Sequence, residues 1–107
     1  RIDRVAVKGN VTVAFYEIKC RNITWGQYPD IMISIFKVVE AKRLHDVTRL
    51  PVYLAILDST SSIYITSLLN INPKYLKYGG RTKNTRHQHD IEPVFHIPIK
   101  DFTRLEE

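Results

Sequence analysis

The chain has 107 residues at 12.5 kDa, 44% hydrophobic and 25% charged, a size that fits one small globular domain with a single core and excludes a two-domain machine. Sixteen Lys and Arg against eleven Asp and Glu give a net charge of +5 and a pI near 9.5, a balance that favours an acidic partner such as nucleic acid. The single Cys20 cannot form an internal disulfide, and no run reaches the roughly 18 apolar residues of a membrane helix, so a soluble chain in a reducing, cytoplasmic compartment is expected.

The chain opens on Arg1 rather than Met and enters an alternating apolar pattern at once, so a preceding helix is expected to lie outside this sequence. From Ile2 to Arg21 the alternation breaks only at Lys8-Gly9-Asn10, which predicts two strands joined by a tight turn. In the second strand Val11, Val13, Phe15, Glu17, Lys19 and Arg21 fall on one face, and Thr12, Ala14, Tyr16, Ile18 and Cys20 on the other. A strict two-residue turn at Gly9-Asn10 would pair Lys8 with Val11 and Asp3 with Tyr16, leaving Asp3 on the wrong face for Glu17. Convergence of the two carboxylates therefore predicts a three-residue loop or a bulge, with Gly9 supplying the freedom for positive φ.

Asn22 to Asp30 reads as a loop carrying Trp25 and Tyr28. Ser34 is the expected N-cap of a helix reaching Arg49, with Ile35, Phe36, Val39 and Val47 at helical spacing, Val38 and Leu44 flanking them, and Lys37, Glu40, Lys42 and Arg43 on the polar side. Pro51 ends it, and the apolar run Val52 to Leu57 predicts a strand covered on both faces. Asp58 to Ser62 reads as a turn and Ile63 to Leu69 as the next strand. Asn70 to His89 holds Lys74, Lys77, Arg81, Lys83 and Arg86 without an acidic residue, interleaved with Tyr75 and Tyr78, and reads as one loop. Val94 to Ile99, with Pro98, reads as a short edge strand, followed by a polar tail. The order predicts an α/β domain over residues 1–107: a mixed central β-sheet with an N-terminal hairpin and a crossover helix.

The chemistry concentrates in Asp3 and Glu17-Ile18-Lys19. Two carboxylates at one end of a hairpin suit a hard divalent cation, since Mg²⁺ is usually held by one or two carboxylates, waters and phosphate oxygens. Lys19 on the Glu17 face can orient or activate a water beside a phosphate. The plainer alternative is a strand with a solvated Glu and Lys face, because E-x-K arises often by chance.

The segments Ile2-Asp3-Arg4-Val5-Ala6-Val7-Lys8-Gly9-Asn10 and Phe15-Tyr16-Glu17-Ile18-Lys19-Cys20-Arg21 resemble the core of the PD-(D/E)XK nuclease superfamily. The likeness extends in order to about residue 58 and is nearest to archaeal Holliday-junction resolvases and small phage-encoded relatives. It implies a restriction-endonuclease-like core and a DNA endonuclease that hydrolyses phosphodiester bonds. Asp3 and Glu17 would bind Mg²⁺ or Mn²⁺, and Lys19 would serve the attacking water. It also implies branched or single-stranded DNA as substrate, a homodimer, and the host cytoplasm as the site of action for a phage-encoded protein. Asp3 is not preceded by Pro, and the helix that usually precedes the Asp strand, often with an additional Glu, is absent from the sequence. The competing reading is a non-catalytic nucleic-acid-binding module with a nuclease-like fold.

The cations expected to hold the DNA backbone are Arg21, Lys37, Lys74, Lys77, Arg81, Lys83 and Arg86. His87, His89, Asp90, Glu92 and His96 match no structural zinc spacing and read as solvated loop residues. His45 fits a cation favoured at a helix C-terminus, and Cys20 a core position.

Overall fold

A computed structural model of the chain describes residues 4–80 and 91–105. It begins with the hairpin of β1 (Arg4–Lys8) and β2 (Val11–Cys20). Gly9 and Asn10 both take positive φ, 56° and 65°, as a two-residue hairpin turn that matches the strand twist requires. The turn is therefore the short one, and the extra residue lies elsewhere. Val7 pairs with Thr12 and Ala6 with Ala14, so Val13 is bulged out of the ladder. Beyond the bulge Val5 stands opposite Phe15 and Arg4 opposite Tyr16, a shift of one residue relative to an unbroken hairpin.

After the loop, β3 (Asp30–Ser34) runs directly into α1 (Ile35–Thr48). This strand stands where the sequence predicts a loop passing into the helix, and Ile31 and Ile33 are buried on either side of exposed Met32. Ser34 does cap the helix, its Oγ accepting from the Phe36 amide at 3.2 Å. Arg49, at φ 62°, ends it by donating its N–H to the His45 carbonyl, and His45 Nδ1 lies 2.8 Å from the Leu50 carbonyl oxygen. The inward stripe matches the expected one at Ile35 and at the flanking Val38 and Leu44, and departs from it elsewhere. Val38 and Ala41 are buried and Ile35 and Leu44 pack on the core, whereas Phe36, Val39 and Val47 are 63%, 42% and 84% exposed. Apolar residues on both sides of the helix allow either stripe, and the direct junction with β3 sets the rotation.

β4 (Val52–Leu57) lies parallel to β2 across this crossover, with Glu17 beside Leu54, and β5 (Ile63–Ser67) returns antiparallel to β4. Two more strands, β6 (Leu76–Gly80) and β7 (Ile91–Pro98), and the short β8 (Thr103–Arg104) complete the set. The larger sheet is mixed and ordered β1-β2-β4-β5-β8, and the smaller is antiparallel, β3-β7-β6.

The second half of the chain corrects three expectations. Asn70–His89 is not one loop: Pro73–Tyr75 forms a 3₁₀ turn, capped by Asn72 Oδ1 accepting from the Lys74 amide, and leads into β6. β7 is the central strand rather than an edge. Its prolines are tolerated because each sits where one neighbour is missing: the β3 ladder stops at Val94, short of Pro93, and the β6 ladder stops at Phe95, short of Pro98. The polar tail also takes part, with β8 on the edge of β5 and Phe102 buried.

Ile31, Ile33, Phe95 and Ile97 of the smaller sheet meet Val52, Leu54 and Ile56 of the larger one, with Val38 and Ala41 of α1 closing the core. Trp25 stacks on Tyr64 with ring centroids 3.9 Å apart and meets Phe102 edge-on at 5.1 Å, so this loop aromatic is a packing residue. Among the described residues, no helix is long and apolar enough to cross a membrane.

Candidate active site

Phe15, Glu17 and Lys19 share the face of β2 that looks toward the core, because their parallel partners are Val52, Leu54 and Ile56, all fully buried. Glu17 is consequently 1% exposed. A buried carboxylate is costly unless paired, and two ammonium groups reach this one. Lys19 Nζ lies 3.2 Å from Glu17 Oε2, and Lys37 Nζ lies 3.5 Å from the same oxygen. Lys19 comes from two positions along the same strand, Lys37 from the first turn of α1, brought over β2 by the crossover. Both lysine side chains are about 30% exposed, so the cluster spans the boundary between core and solvent.

Both cations use Oε2, and the other carboxylate oxygen, Oε1, is buried without a hydrogen-bond partner. Such an atom normally has a partner. A hard divalent cation fits it, since carboxylate oxygen is the donor such ions take, with water completing the shell. Among the described residues, no group of three or more His, Cys, Asp and Glu converges as a metal site, so Glu17 is the one anionic ligand of the expected pair that can be placed. Asp3 lies outside the described residues, as do Arg81, Lys83, Arg86, His87, His89 and Asp90.

The remaining cations are spread out. Arg21 follows β2 directly, its amide donating to the Leu57 carbonyl at 2.9 Å and its Nη1 to the Cys20 carbonyl at 3.3 Å. Lys74 and Lys77 are exposed, the first in the 3₁₀ turn and the second on β6 opposite Val94. Lys37 was expected among the backbone-holding cations from its place on the polar side of the helix, and its ammonium is found on Glu17. That placement had no local signal, since residues 17 and 37 are joined only by the crossover. Cys20 is exposed on the opposite face of β2, not in the core. His96 is not a solvated loop residue: it sits on β7 with Nδ1 3.5 Å from Asp30 Oδ1 and Nε2 buried without a partner.

A second carboxylate organises the scaffold. Asp58 Oδ1 accepts from the Thr60 hydroxyl at 2.7 Å, the Thr60 amide at 2.9 Å and the Ser62 amide at 3.1 Å, while Oδ2 accepts from the Trp25 amide at 3.2 Å. These donors, the Thr60 hydroxyl foremost, hold its carboxyl below the ordinary value. The bonds tie the β4–β5 turn to the loop that follows β2.

Clefts open on the surface of the described residues. One of about 520 Å³ is walled by Tyr53, Ile65, Asn70, Ile71 and Thr103, with Asp101 as its charged residue. Another, about 310 Å³, begins at Arg21 and runs along Tyr28 to Met32. Glu17 lines neither.

A family model described as phage putative PDDEXK endonuclease matches residues 1–105. No curated protein and no solved structure matches the chain.

Proposed function

Because the chain belongs to the family of phage putative PDDEXK endonucleases, we propose that it is a metal-dependent DNA endonuclease working through the Glu17 cluster. The observation that carries this reading is the buried carboxylate of Glu17, with two lysines on Oε2 and Oε1 left unpartnered. Most buried side-chain oxygens have a partner, so Oε1 is open to a ligand that the ion pairs do not supply. Asp3 is the second ligand in this reading. The Val13 bulge supports it: with Arg4 opposite Tyr16, position 17 is next along the ladder, whereas an unbroken hairpin would have put Tyr16 there.

Bound Mg²⁺ or Mn²⁺ would polarise a phosphate oxygen and make a nearby water more acidic. Lys19 orients that water through its ammonium and offsets charge at the phosphate, and Lys37 neutralises Glu17 while adding positive charge facing the phosphate. The water oxygen forms a bond to phosphorus and gives up a proton to solvent, the bond from phosphorus to one ester oxygen breaks, and that oxygen leaves with a proton taken from solvent. Arg21, Lys74, Lys77, Arg81, Lys83 and Arg86 hold the DNA backbone. Branched DNA and a homodimer are the finer form of the same reading, resting on resemblance to resolvases.

The test is incubation of linear, single-stranded and four-way-junction DNA with Mg²⁺, Mn²⁺ or EDTA, for wild type and Glu17→Gln. Metal-dependent cutting by wild type, absent in the variant, is expected. DNA binding without cutting in any metal would instead establish the non-catalytic binding module, and equal cutting by both proteins would move the site away from Glu17.

A further inference from the structure

The cleft beyond Arg21 has a construction that the hydrolytic site does not account for. Its floor and walls are Ile23, Tyr28, Pro29 and Met32, and its two charged residues are Arg21 and Asp30. A volume of about 310 Å³ falls at the small end of ligand pockets, roughly 300–1,000 Å³, which suits one flat ring system better than a peptide or a lipid chain. Tyr28 and Met32 are each about half exposed, leaving an aromatic face and a thioether open to a ligand.

The walls are held before any ligand arrives. The Gln27 amide donates to the Thr24 carbonyl at 2.9 Å, Gln27 Oε1 accepts from the Thr24 amide at 3.2 Å, and Gln27 Nε2 donates to the Tyr28 hydroxyl at 3.5 Å. The Pro29 carbonyl accepts from the Ile99 amide at 3.1 Å. On the far side His96 Nδ1 stands 3.5 Å from Asp30 Oδ1. Preorganised walls reduce the ordering cost of binding.

Placement then selects the ligand. Arg21 continues the face of Glu17 and Lys19, and four residues of strand span about 13 Å, a few nucleotides of chain. Lys77 stands on the same face of the smaller sheet as Asp30 and Met32, since it pairs with Val94, which pairs in turn with Ser34. A nucleic acid strand held at Glu17 would meet Arg21 at the cleft, with Lys77 farther along the same sheet face, level with Ser34. Phosphate would be repelled by Asp30, so the part that enters is the base: an aromatic ring stacks on Tyr28, and a carboxylate accepts from ring N–H and exocyclic amino groups.

We propose that this cleft is a nucleobase pocket, which takes one unpaired, amino-bearing base of the substrate strand a few nucleotides from the bond to be cut. The proposal rests on the nuclease reading for its substrate but not for its ligand chemistry.

The experiment follows the methyl signals of Met32 and Ile31 by NMR, with EDTA present, during titration with dGMP, dTMP or deoxyribose 5-phosphate. Wild type should respond saturably to dGMP, several-fold more weakly to dTMP, and not to the sugar phosphate. Tyr28→Ala should weaken dGMP at least fivefold while Tyr28→Phe stays near wild type, and Asp30→Asn should erase the preference over dTMP. A silent Met32, or an equal response to the sugar phosphate, overturns the proposal. Cleavage does not enter this readout: nucleotide binding without cleavage sinks only the nuclease reading, and cleavage with a silent pocket sinks only this one.

Discussion

Lys37 on the first turn of α1 and Glu17 on β2 are twenty positions apart in sequence, yet the Lys37 ammonium lies 3.5 Å from Glu17 Oε2. It shares that oxygen with Lys19 at 3.2 Å, so one buried carboxylate anchors two cations. The arrangement separates the roles of the three residues in a way mutagenesis can read.

Glu17→Gln should abolish metal-dependent cleavage while leaving the protein folded, because it preserves shape and because the two lysines that lose their partner are partly exposed rather than buried. Both lysines, about 30% exposed, regain water when their partner is lost. Cleavage and urea denaturation of the same protein preparation check the two halves.

Lys19→Ala should lower turnover more than DNA affinity, since its proposed work is on the attacking water. Lys37→Ala should cost less in rate than Lys19→Ala, because one ammonium still neutralises Glu17. Single-turnover rates at saturating DNA, measured beside binding in EDTA, distinguish the two. Equal losses in rate would mean the lysines act as one unit.

The hairpin register can be tested by deletion. Removing Val13 takes out the bulged residue but keeps Ala6 opposite Ala14 and Arg4 opposite Tyr16, so cleavage should persist. Removing Ala6 instead slides β1 by one residue and turns its outer part to the other sheet face, so cleavage should be lost in a folded protein. Circular dichroism verifies folding, and the same Mg²⁺ assay reads activity.

Asp58 governs an acid limb of stability. Its folded pKa is lowered by the Thr60, Ser62 and Trp25 donors, so its contribution is fully present above the unfolded value, about 3.9, and is lost as pH falls toward the folded one. Asp58→Asn should melt below wild type at pH 7, and the gap should narrow below about pH 4. Thermal melts from pH 7 to 3 measure it, and a constant gap would mean the donors do not depend on the charge.

DNA affinity should fall with salt at a slope near −0.9 for each phosphate neutralised on a duplex. Lys74→Ala with Lys77→Ala should flatten that slope by up to two contacts, and Lys83→Ala with Arg86→Ala should do the same if that segment holds phosphate. Neither pair should alter turnover at saturating DNA. An unchanged slope for both would leave the basic region without a role in binding.

Local pattern alone determined the hairpin, the Ser34 cap, the end of α1 before Pro51, the buried strand Val52–Leu57 and the pairing of Glu17 with Lys19, because each depends on neighbours within a few residues. The family was legible for the same reason, in the short strand motif around Glu17. Tertiary structure decided the rest. β3 and β6 are short, and become strands only by pairing with β7, whose Pro98 gives it the sequence of an edge strand. The rotation of α1, which exposes Phe36 and Val47 and carries Lys37 to Glu17, follows from its junction with β3, for which the helix's own sequence has no signal. The bulge at Val13 is likewise a property of the whole ladder: an alternating run of β-branched residues fits either register, and only the packing of Phe15 and Glu17 against Val52 and Leu54 selects one.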